Sequence, residues 1–298
     1  MEKILDLSLN DQREELDYEN ERFPFREYID NYDHFPEQCF PAHWHPEFEL
    51  HLILRGSIEF RVEGNSVQLK SGQVIYIAPN SIHTARALTE NSLSYNIIIL
   101  PDLLTGFLQS INRVQDSRPL NTLKPDYFIV DPDAKEGYNI AESLRKLYYS
   151  NTNDYQELFL FENLLAIWRN LLLVFPKQVM TVEDPHAALQ SERMKAMIDF
   201  IHQNYMQSIT INEIAESSNI SKSECFRCFS TLSEMTPMEY LNNYRLMQAC
   251  KLLLNTNDSM TDICFQTGFN NTSYFAKKFK TQYGMTPKEY RTNNLVAF

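Results

Sequence analysis

A six-residue segment occurs twice in the last hundred residues of the chain. The sequence MTPMEY at 235–240 returns fifty residues later as MTPKEY at 285–290. In each copy the segment begins six residues after a phenylalanine, Phe229 or Phe279. Self-similarity at a fixed spacing predicts two copies of one folded unit in the rear of the chain.

The same pattern precedes both copies of the hexapeptide. A short amphipathic segment, at 211–215 or 260–264, is followed by a turn and by a second helix that ends at the phenylalanine. This order is typical of a helix-turn-helix unit, whose second helix, here called the reading helix, enters the major groove of DNA. The tandem pair therefore predicts two helices that can enter DNA.

The net charge of −12 is unusual for a DNA-binding protein, but it is unevenly distributed. Residues 190–298 carry 11 Lys and Arg against 10 Asp and Glu, which leaves 16 against 29 in residues 1–189. The rear of the chain is thus near neutral, with a local basic run at Lys277, Lys278 and Lys280. Such local placement matters more for phosphate contact than the total charge does.

The length of 298 residues predicts two domains of ordinary size. The most apolar stretch, 158–175, is interrupted by Glu162, Asn163, Arg169 and Asn170, so no membrane span is predicted. The first residues lack the basic start and apolar block of an export signal, and the five cysteines are therefore expected to be reduced thiols. We expect a cytoplasmic protein with no membrane partner.

Changes of pattern divide the chain into five parts. Residues 1–22 are expected to form a flexible acidic arm, and 23–133 contain short alternating apolar runs that indicate an antiparallel β-barrel. Apolar residues recur at helical spacing through 134–176, and helices with such large apolar faces favour a dimerisation segment. A polar linker at 177–190 then precedes an all-α domain at 191–298.

Two helices of the rear domain are defined by their ends. Ser191 is expected to be the N-cap of the first helix of that domain. A helix at 237–255, begun by Pro237, lies between the two repeats and carries apolar residues on two faces, with Leu241 on one and Leu246 on the other. Because both faces are buried, this helix is expected to be a strut of roughly 25 Å.

The rear of the chain, over 194–290, resembles the AraC/XylS-type bacterial transcription regulators. In the second repeat the resemblance is carried by Ile263, Gly268-Phe269, Ser273-Tyr274-Phe275, Phe279-Lys280 and the segment 283–290. The first repeat departs from the pattern, because Ser233-Glu234 stand where a glycine usually precedes Met235. The resemblance implies a regulator that binds promoter DNA, responds to a small effector and acts with RNA polymerase, mostly as an activator.

The resemblance also implies which residues contact DNA. In the first reading helix, expected from residue 221 to 229, they are Ser221, Lys222, Ser223, Phe226 and Arg227. In the second, expected from 271 or 272 to 279, they are Asn271, Thr272, Ser273, Ala276, Lys277 and Lys278. Arg227 can donate two parallel hydrogen bonds to a guanine edge. Ser221 and Asn270 are expected to cap helices whose free amides face phosphate.

Other interpretations of these residues stay open. Phe226 could belong to the core, and the three lysines of the second repeat could form an ordinary solvated face. Cys225 and Cys228 form a C-x-x-C pair, but no second pair of ligands lies nearby in sequence to complete a zinc site. We expect Cys225 to be buried and Cys228 to be partly exposed.

The front domain carries a second concentrated motif, formed by His43, His45, Glu49 and, after a longer interval, His83. It resembles the two motifs of the cupin barrel, although Glu37 stands where the first of them begins with glycine. Residues 43, 45 and 49 share parity, so they are expected on one face of a strand, with His83 approaching from another strand.

Three uses of this motif stay open. The favoured one is an effector pocket, formed by His43, Trp44, His45, Glu49, Tyr76, His83 and Tyr95. No cofactor is expected, but His43, His45, Glu49 and His83 could bind a divalent metal such as Zn, Fe or Mn. In the third interpretation the histidines have a structural role only and satisfy their hydrogen-bonding groups inside the barrel.

The sequence therefore predicts an α+β multidomain protein: a cupin-like antiparallel β-barrel, a helical dimerisation segment, and an all-α domain with two helix-turn-helix units joined by a linker helix. The expected function is a homodimeric, effector-responsive activator of a neighbouring metabolic operon, with a sugar-like effector. The principal alternative is a metal-dependent cupin dioxygenase or isomerase with a DNA-binding appendix. A repair regulator with a nucleophilic cysteine is disfavoured, because no cysteine has a base beside it in sequence.

Overall fold

The computed structural model of the chain describes residues 25–35, 38–100, 125–150, 156–175 and 185–295. The predicted acidic arm lies outside the described residues, as does most of the predicted linker. Within the described residues, no helix is long and apolar enough to span a membrane.

The front domain consists of two antiparallel sheets. Its strands are β1 (Phe25–Asn31), β2 (Cys39–His43), β3 (Phe48–Arg55), β4 (Ser57–Val62), β5 (Asn65–Lys70), β6 (Val74–Ile77), β7 (His83–Ala87), β8 (Leu93–Ile99) and β9 (Tyr127–Val130). Sheet A has the order β1-β8-β3-β6-β9, and sheet B has the order β2-β7-β4-β5. The predicted antiparallel β domain is confirmed.

Strand β3 lies at the centre of sheet A and is buried on both faces. Side chains alternate along a strand, so Glu49 and His51 face sheet B while Leu50 and Leu52 face away from it. The inner face therefore carries ionisable groups and the outer face is apolar. A slip of one residue in register would exchange the two faces.

Two helices, α1 (Lys135–Tyr149) and α2 (Gln156–Val174), cover the outer face of sheet A. Ile140 and Leu144 recur at helical spacing and are fully buried, and the Trp168 ring packs 6.0 Å from the ring of Phe48. The apolar faces that favoured a dimerisation segment are thus mostly used inside the subunit. The apolar surface that remains exposed is a narrow stripe on α2.

The next helix, α3 (Pro185–Asn204), begins six residues before the expected start of the rear domain. The prediction that Ser191 is an N-cap is wrong, because Pro185 already starts the helix, as proline often does. Ser191 lies inside α3, and its hydroxyl donates a 3.0 Å hydrogen bond to Oε1 of Glu63 in the front domain.

Six further helices complete the rear domain: α4 (Ile211–Glu216), α5 (Lys222–Ser233), α6 (Pro237–Asn255), α7 (Met260–Gln266), α8 (Thr272–Tyr283) and α9 (Pro287–Leu295). The pairs α4–α5 and α7–α8 are the two predicted helix-turn-helix units. Both reading helices, α5 and α8, run four residues beyond their expected ends at Phe229 and Phe279.

The repeated hexapeptide is a helix start. The Thr236 hydroxyl accepts the Glu239 amide at 3.2 Å, and the Glu239 carboxylate accepts the Thr236 amide at 2.8 Å. Thr286 and Glu289 form the same reciprocal pair. This capping box satisfies amides that the first turn of a helix leaves unpaired, and the proline that follows each threonine lacks the amide that would need a partner there.

The strut helix α6 joins the two units by burying a different face in each. Leu241 packs in the core of the first unit with Phe229, whereas Leu246 and Cys250 pack in the core of the second. The helix has 19 residues and so spans about 28 Å. A helix fixed by two separate cores cannot turn without disturbing both.

We predict that Gly268→Ala destabilises the protein far more than Gly284→Ala. Both glycines adopt positive φ, +80° and +70°, so both substitutions carry about 1–2 kcal/mol of backbone strain. A Cβ at Gly268 would also lie 2.1 Å from the carbonyl oxygen of Tyr205, whereas none of the described atoms lies within 4 Å of one at Gly284. Denaturant unfolding should show at least about 2 kcal/mol between the variants. Equal losses would mean that the Tyr205 contact does not constrain the turn.

Candidate functional site

The start of the first reading helix is exposed at every residue predicted to contact DNA: Ser221, Lys222, Ser223, Phe226 and Arg227. Phe226 exposes 39% of its surface, so it is not a core residue. Ser221 is the N-cap of α5 as predicted. The Arg227 guanidinium donates to its neighbour Glu224 at 2.6 Å, but an exposed pair of this kind is worth little in water, so Arg227 can exchange it for a base.

The second reading helix presents a similar surface. Of its predicted contacts, Asn271, Thr272, Ser273 and Lys277 are exposed, whereas Ala276 and Lys278 are half-buried. The N-cap is Asn271, whose side chain accepts the Tyr274 amide at 2.8 Å, so the prediction of Asn270 is wrong by one residue. The Lys278 ammonium lies 5.8 Å from the centre of the Tyr274 ring, within cation–π range.

The cysteines are structural. Cys225 and Cys228 are both fully buried in the core of the first unit, so the prediction that Cys228 is partly exposed is wrong. Burial raises the pKa of the Cys225 thiol to about 11. A thiol with such a pKa stays protonated at neutral pH and is a poor nucleophile.

A polar cavity lies between the inner faces of the two sheets. It is lined by Tyr28, Asp30, Tyr32, Phe40, His43, Glu49, His51, His83, Ala85, Asn96 and Ile98. The enclosed part of the cavity is about 30 Å³, room for about one or two water molecules, and the rest is open to solvent, so a larger ligand requires the two sheets to separate there. The Asn96 side-chain amide donates to Asp30 at 2.9 Å and to Glu49 at 3.1 Å, so the polar groups are positioned by one another.

His43, His45, Glu49 and His83 meet at one place in the barrel, with one potential ligand atom of each within 4.8 Å of the others. His83 Nε2 lies 3.0 Å from Glu49 Oε2, and His45 Nε2 lies 3.7 Å from the same oxygen. The prediction that 43, 45 and 49 share one strand is wrong. His43 ends β2, His45 lies in the connection that follows, and Glu49 belongs to β3 in the opposite sheet.

The backbone fixes the orientation of two of these imidazoles. His43 Nδ1 lies 3.0 Å from the carbonyl oxygen of Pro41, and His83 Nδ1 lies 2.9 Å from that of Ser81. A carbonyl oxygen only accepts, so each Nδ1 carries a hydrogen. In the neutral ring the lone pair is then on Nε2, which for His83 faces Glu49.

Burial and neighbouring charges set the protonation of the cluster. Burial lowers the pKa of His43 and of His83. Burial raises the pKa of Glu49, but the charge of His51 and hydrogen bonds from the histidines outweigh it and hold that pKa well below its usual range. Burial lowers the pKa of His51, but the charge and the hydrogen bond of Glu49 together have a larger effect, so the His51 pKa is raised. Burial raises the pKa of Asp30 to about 7. The cavity thus favours an ionised Glu49, and the Glu49 carboxylate favours the protonated form of His51.

Three residues predicted for the effector pocket lie elsewhere. Tyr76 and Tyr95 point to the outer face of sheet A and pack in the core beneath α1 and α2. Trp44 packs against the core of the first helix-turn-helix unit, with the Lys195 ammonium 5.3 Å from its ring centre. The predictions for Tyr76 and Tyr95 are wrong because a sheet buried on both faces gives aromatic residues on either side the same appearance in sequence. The prediction for Trp44 is wrong because this residue lies in the connection between β2 and β3.

Sequence reasoning missed Asp30, His51 and Asn96, which line the cavity. His51 could have been found, because it lies two residues after Glu49 in β3 and alternation places both on one face. Asn96 carried a weaker signal, as a polar residue within the apolar run of β8. Asp30 could not be placed, since β1 meets β8 only through long-range pairing.

The first helix-turn-helix unit packs directly on the barrel. Ala42 and Ile82, each one residue before a cluster histidine, belong to the same core as buried residues of α3, α5 and α6. The Tyr240 hydroxyl donates to the Ala42 carbonyl at 2.8 Å, and His202 Nε2 lies 3.0 Å from the same hydroxyl. Barrel and DNA-binding domain therefore share one core at this point.

An ion pair closes the edge of this interface. Glu234 ends α5 in the left-handed region, with φ of 57°, where Gly284 ends α8 in the second repeat. The turn thus keeps its geometry despite the departure from the family pattern. The Glu234 carboxylate pairs with Arg61 of β4, and Arg61 also donates to the Thr231 carbonyl at 3.2 Å.

An antiparallel β domain with an internal polar cavity, followed by two exposed reading helices, defines a ligand-binding, DNA-binding protein. Comparison with known families agrees. Residues 31–167 match the AraC-like ligand-binding domain, and residues 214–293 match a helix-turn-helix domain. The chain belongs to the AraC family of transcription regulators.

Relatives align over most of their length. The chain is 27% identical to an uncharacterised helix-turn-helix transcriptional regulator, YdeC of Bacillus subtilis, over 85% of this chain and 87% of that one. It is 27% identical to the transcriptional activator RhaS of Mannheimia succiniciproducens, over 86% and 91%. It is 24% identical to the lactose operon transcription activator of Staphylococcus xylosus, over 81% and 82%.

Proposed function

We propose that this regulator is a cytoplasmic homodimer that activates a neighbouring carbohydrate-related operon through RNA polymerase when a sugar-like effector occupies the barrel. The observation that carries the proposal is the shared core at Ala42 and Ile82, which places the effector cavity one residue away from the surface on which the first reading unit docks. An effector that binds the two arrangements of this interface unequally would shift the population that can bind DNA.

The proposed binding of DNA rests on the two reading helices and on α6 between them. Both helices expose polar and basic residues at their starts, and the strut of about 28 Å is of the order of the ~34 Å between successive major-groove faces on one side of B-DNA. Arg227 is expected to read a base, while Lys277 reaches guanine or phosphate.

We predict that Arg227→Ala weakens binding to the promoter region upstream of its own gene by about 5- to 150-fold, the value of one good base contact. It should also reduce the ratio of the affinity for this region to the affinity for shuffled DNA. Lys277→Ala should weaken binding to both DNAs and lower the slope of log affinity against log salt by about 1 if it contacts phosphate. Fluorescence anisotropy at several salt concentrations measures both effects.

The matched control for these variants is Lys70→Ala, which removes an exposed cation from β5 in the front domain. It should leave affinity and salt slope unchanged. If wild-type protein shows no salt-sensitive preference for the promoter region over shuffled DNA, the proposed function is wrong.

The proposed effector class follows from the chemistry of the cavity. Asp30, Asn96 and Tyr32 present carboxylate, amide and hydroxyl groups beside aromatic Phe40, and such groups can hydrogen-bond the hydroxyls of a small sugar. A relative named for the lactose operon supports the same class.

We predict that one or more neutral mono- or disaccharides raise the unfolding midpoint of the full chain, since a ligand at 100 times its Kd adds about 2.7 kcal/mol to the folded state. At a pH of about 8.5, above the Asp30 pKa of about 7, Asp30→Asn, which keeps the shape of the side chain, should require at least about tenfold more ligand for the same shift, because a charge-assisted hydrogen bond is lost. Asp133→Asn, at an exposed site, is the control. A shift equal in both variants would place the sugar outside this cavity.

The proposed dimer rests on a symmetric stripe on α2. Leu158 and Leu173 are 67% and 59% exposed, and Glu162 and Arg169 lie exposed between them. Positions 158 and 173 have the same midpoint as 162 and 169. Two antiparallel copies of α2 would therefore place each leucine against its counterpart and each glutamate against an arginine, as a two-fold interface requires.

We predict that Glu162→Arg and Arg169→Glu each weaken dimerisation, because each places like charges opposite one another, and that the double exchange restores it. Sedimentation equilibrium measures the dissociation constant. The same exchange at Glu142 and Arg145, which pair within α1, should have no effect. A monomer at all concentrations, or a double variant no better than the singles, contradicts this geometry.

The alternative of a metal-dependent enzyme draws on the His-Glu cluster. We propose a regulatory role for the cluster instead, because relatives of the whole chain are named as transcription regulators and because the cluster adjoins the docking surface of the DNA-binding domain. An oxygenase or isomerase activity lost in Glu49→Gln while DNA binding is kept would favour the enzyme.

A further inference from the structure

We propose that His43, His45, Glu49 and His83 bind one divalent transition-metal ion of the zinc class, and that this ion fixes strand β2 against the first helix-turn-helix unit. The inference deepens the proposed function, on which its regulatory half rests. Its metal-binding half stands on the geometry of these four residues alone.

The histidine ring nitrogens of the cluster direct their lone pairs toward its centre. Because Nδ1 of His83 donates to the Ser81 carbonyl, its Nε2 presents a lone pair to Glu49 Oε2 only 3.0 Å away. A lone pair and a carboxylate at this distance repel each other unless a proton or a metal ion lies between them, and the neutral ring, with its lone pair on Nε2, is the form that can bind a metal. His43, whose ring centre is 4.1 Å from that of His83, is held in the same way through Pro41.

The outer ring nitrogens of the three histidines lie beside groups that orient the rings. Histidines that bind metals almost always donate their other N–H to a backbone carbonyl or a carboxylate, which fixes the ring for the ion. His43 and His83 donate to carbonyls, and Glu47 Oε2 lies 3.4 Å from Nδ1 of His45. Three imidazoles are therefore oriented from outside the cluster toward one carboxylate.

The donor set selects the class of ion. Three neutral imidazoles and one carboxylate suit Zn²⁺ and related first-row ions, whereas Mg²⁺ and Ca²⁺ prefer oxygen donors. Ligand atoms of a tetrahedral ion are about 3.4 Å apart, given bonds of about 2.1 Å. The four atoms lie within 4.8 Å of one another, so side-chain adjustments of about 1 Å suffice.

The regulatory half follows from where the ligands sit in the chain. On β2 the side chains of Ala42 and His43 point to opposite faces, so His43 faces the cluster and Ala42 faces the core shared with the DNA-binding domain. The Ala42 carbonyl also accepts the Tyr240 hydroxyl at the start of α6. Ile82 relates to His83 in the same way. An ion that immobilises His43 and His83 also immobilises their neighbours at the interface.

The test of metal binding uses the full chain, stripped with EDTA, incubated with Zn²⁺ and desalted before elemental analysis. We expect one zinc per wild-type chain. His83→Gln and the isosteric Glu49→Gln should each bind zinc at least about tenfold more weakly, since each loses a ligand. The control His186→Gln removes an exposed histidine of α3 and should retain the ion. Circular dichroism identifies variants that remain folded.

Wild-type protein that retains no zinc, or folded Glu49→Gln that retains as much as wild type, overturns the site. Both results can occur while promoter binding is intact, in which case the proposed function survives. Conversely, stoichiometric zinc without any preference for promoter DNA keeps the site and rejects the regulator.

The coupling is read by hydrogen exchange of amides in α5 and α6, with and without zinc. We expect zinc to slow their exchange in wild type. In Tyr240→Phe, which lacks the hydrogen bond to Ala42 but keeps all four ligands, the effect should shrink while zinc content is unchanged. Exchange that does not respond to zinc in wild type overturns the regulatory half.

Discussion

Strict alternation along β3 is the constraint on which the rest of the structure depends. The strand is buried on both sides, so every residue must suit one of two different interiors. Leu50 and Leu52 face the helices that carry the proposed dimer stripe, while Glu49 and His51 face the polar cavity. Buried charges are tolerated only when partners surround them, and Asn96, Asp30 and the histidines supply those partners. One strand thus separates the proposed dimer surface from the polar cavity.

The same alternation on β2 connects the polar cavity to the DNA-binding domain. Ala42 is small enough for α6 to approach the strand closely, so that the Tyr240 hydroxyl reaches its carbonyl. Because barrel and first reading unit share one core, displacement of β2 cannot leave that unit unaffected. The core of the second unit is built from α6 to α9, and the turn at Gly268 lies against the Tyr205 carbonyl after α3, so among the described residues these contacts connect the second unit to the first.

The elements that the sequence predicted well are those fixed by local chemistry. Helix α6 has its predicted ends because Thr236, Pro237 and Glu239 form a complete start signal within four residues. The cluster of His43, Glu49 and His83 was predicted as a set, but on the wrong elements, because parity within a segment does not show that the chain changes sheets between residues 43 and 48. Asp30 and the outward orientation of Tyr76 depend on pairing between distant strands, which no local pattern encodes.

The left-handed residue at the end of α5 makes the two repeats thermodynamically unequal. Glycine adopts this conformation freely at 284, whereas Glu234 carries about 1–2 kcal/mol of strain, which its bond to Arg61 helps to offset. Excision of the rear half from the chain would keep the strain and remove the compensation. The turn that ends α5 therefore depends on a contact with the barrel, whereas the corresponding turn of the second repeat, which ends in Gly284, does not need one.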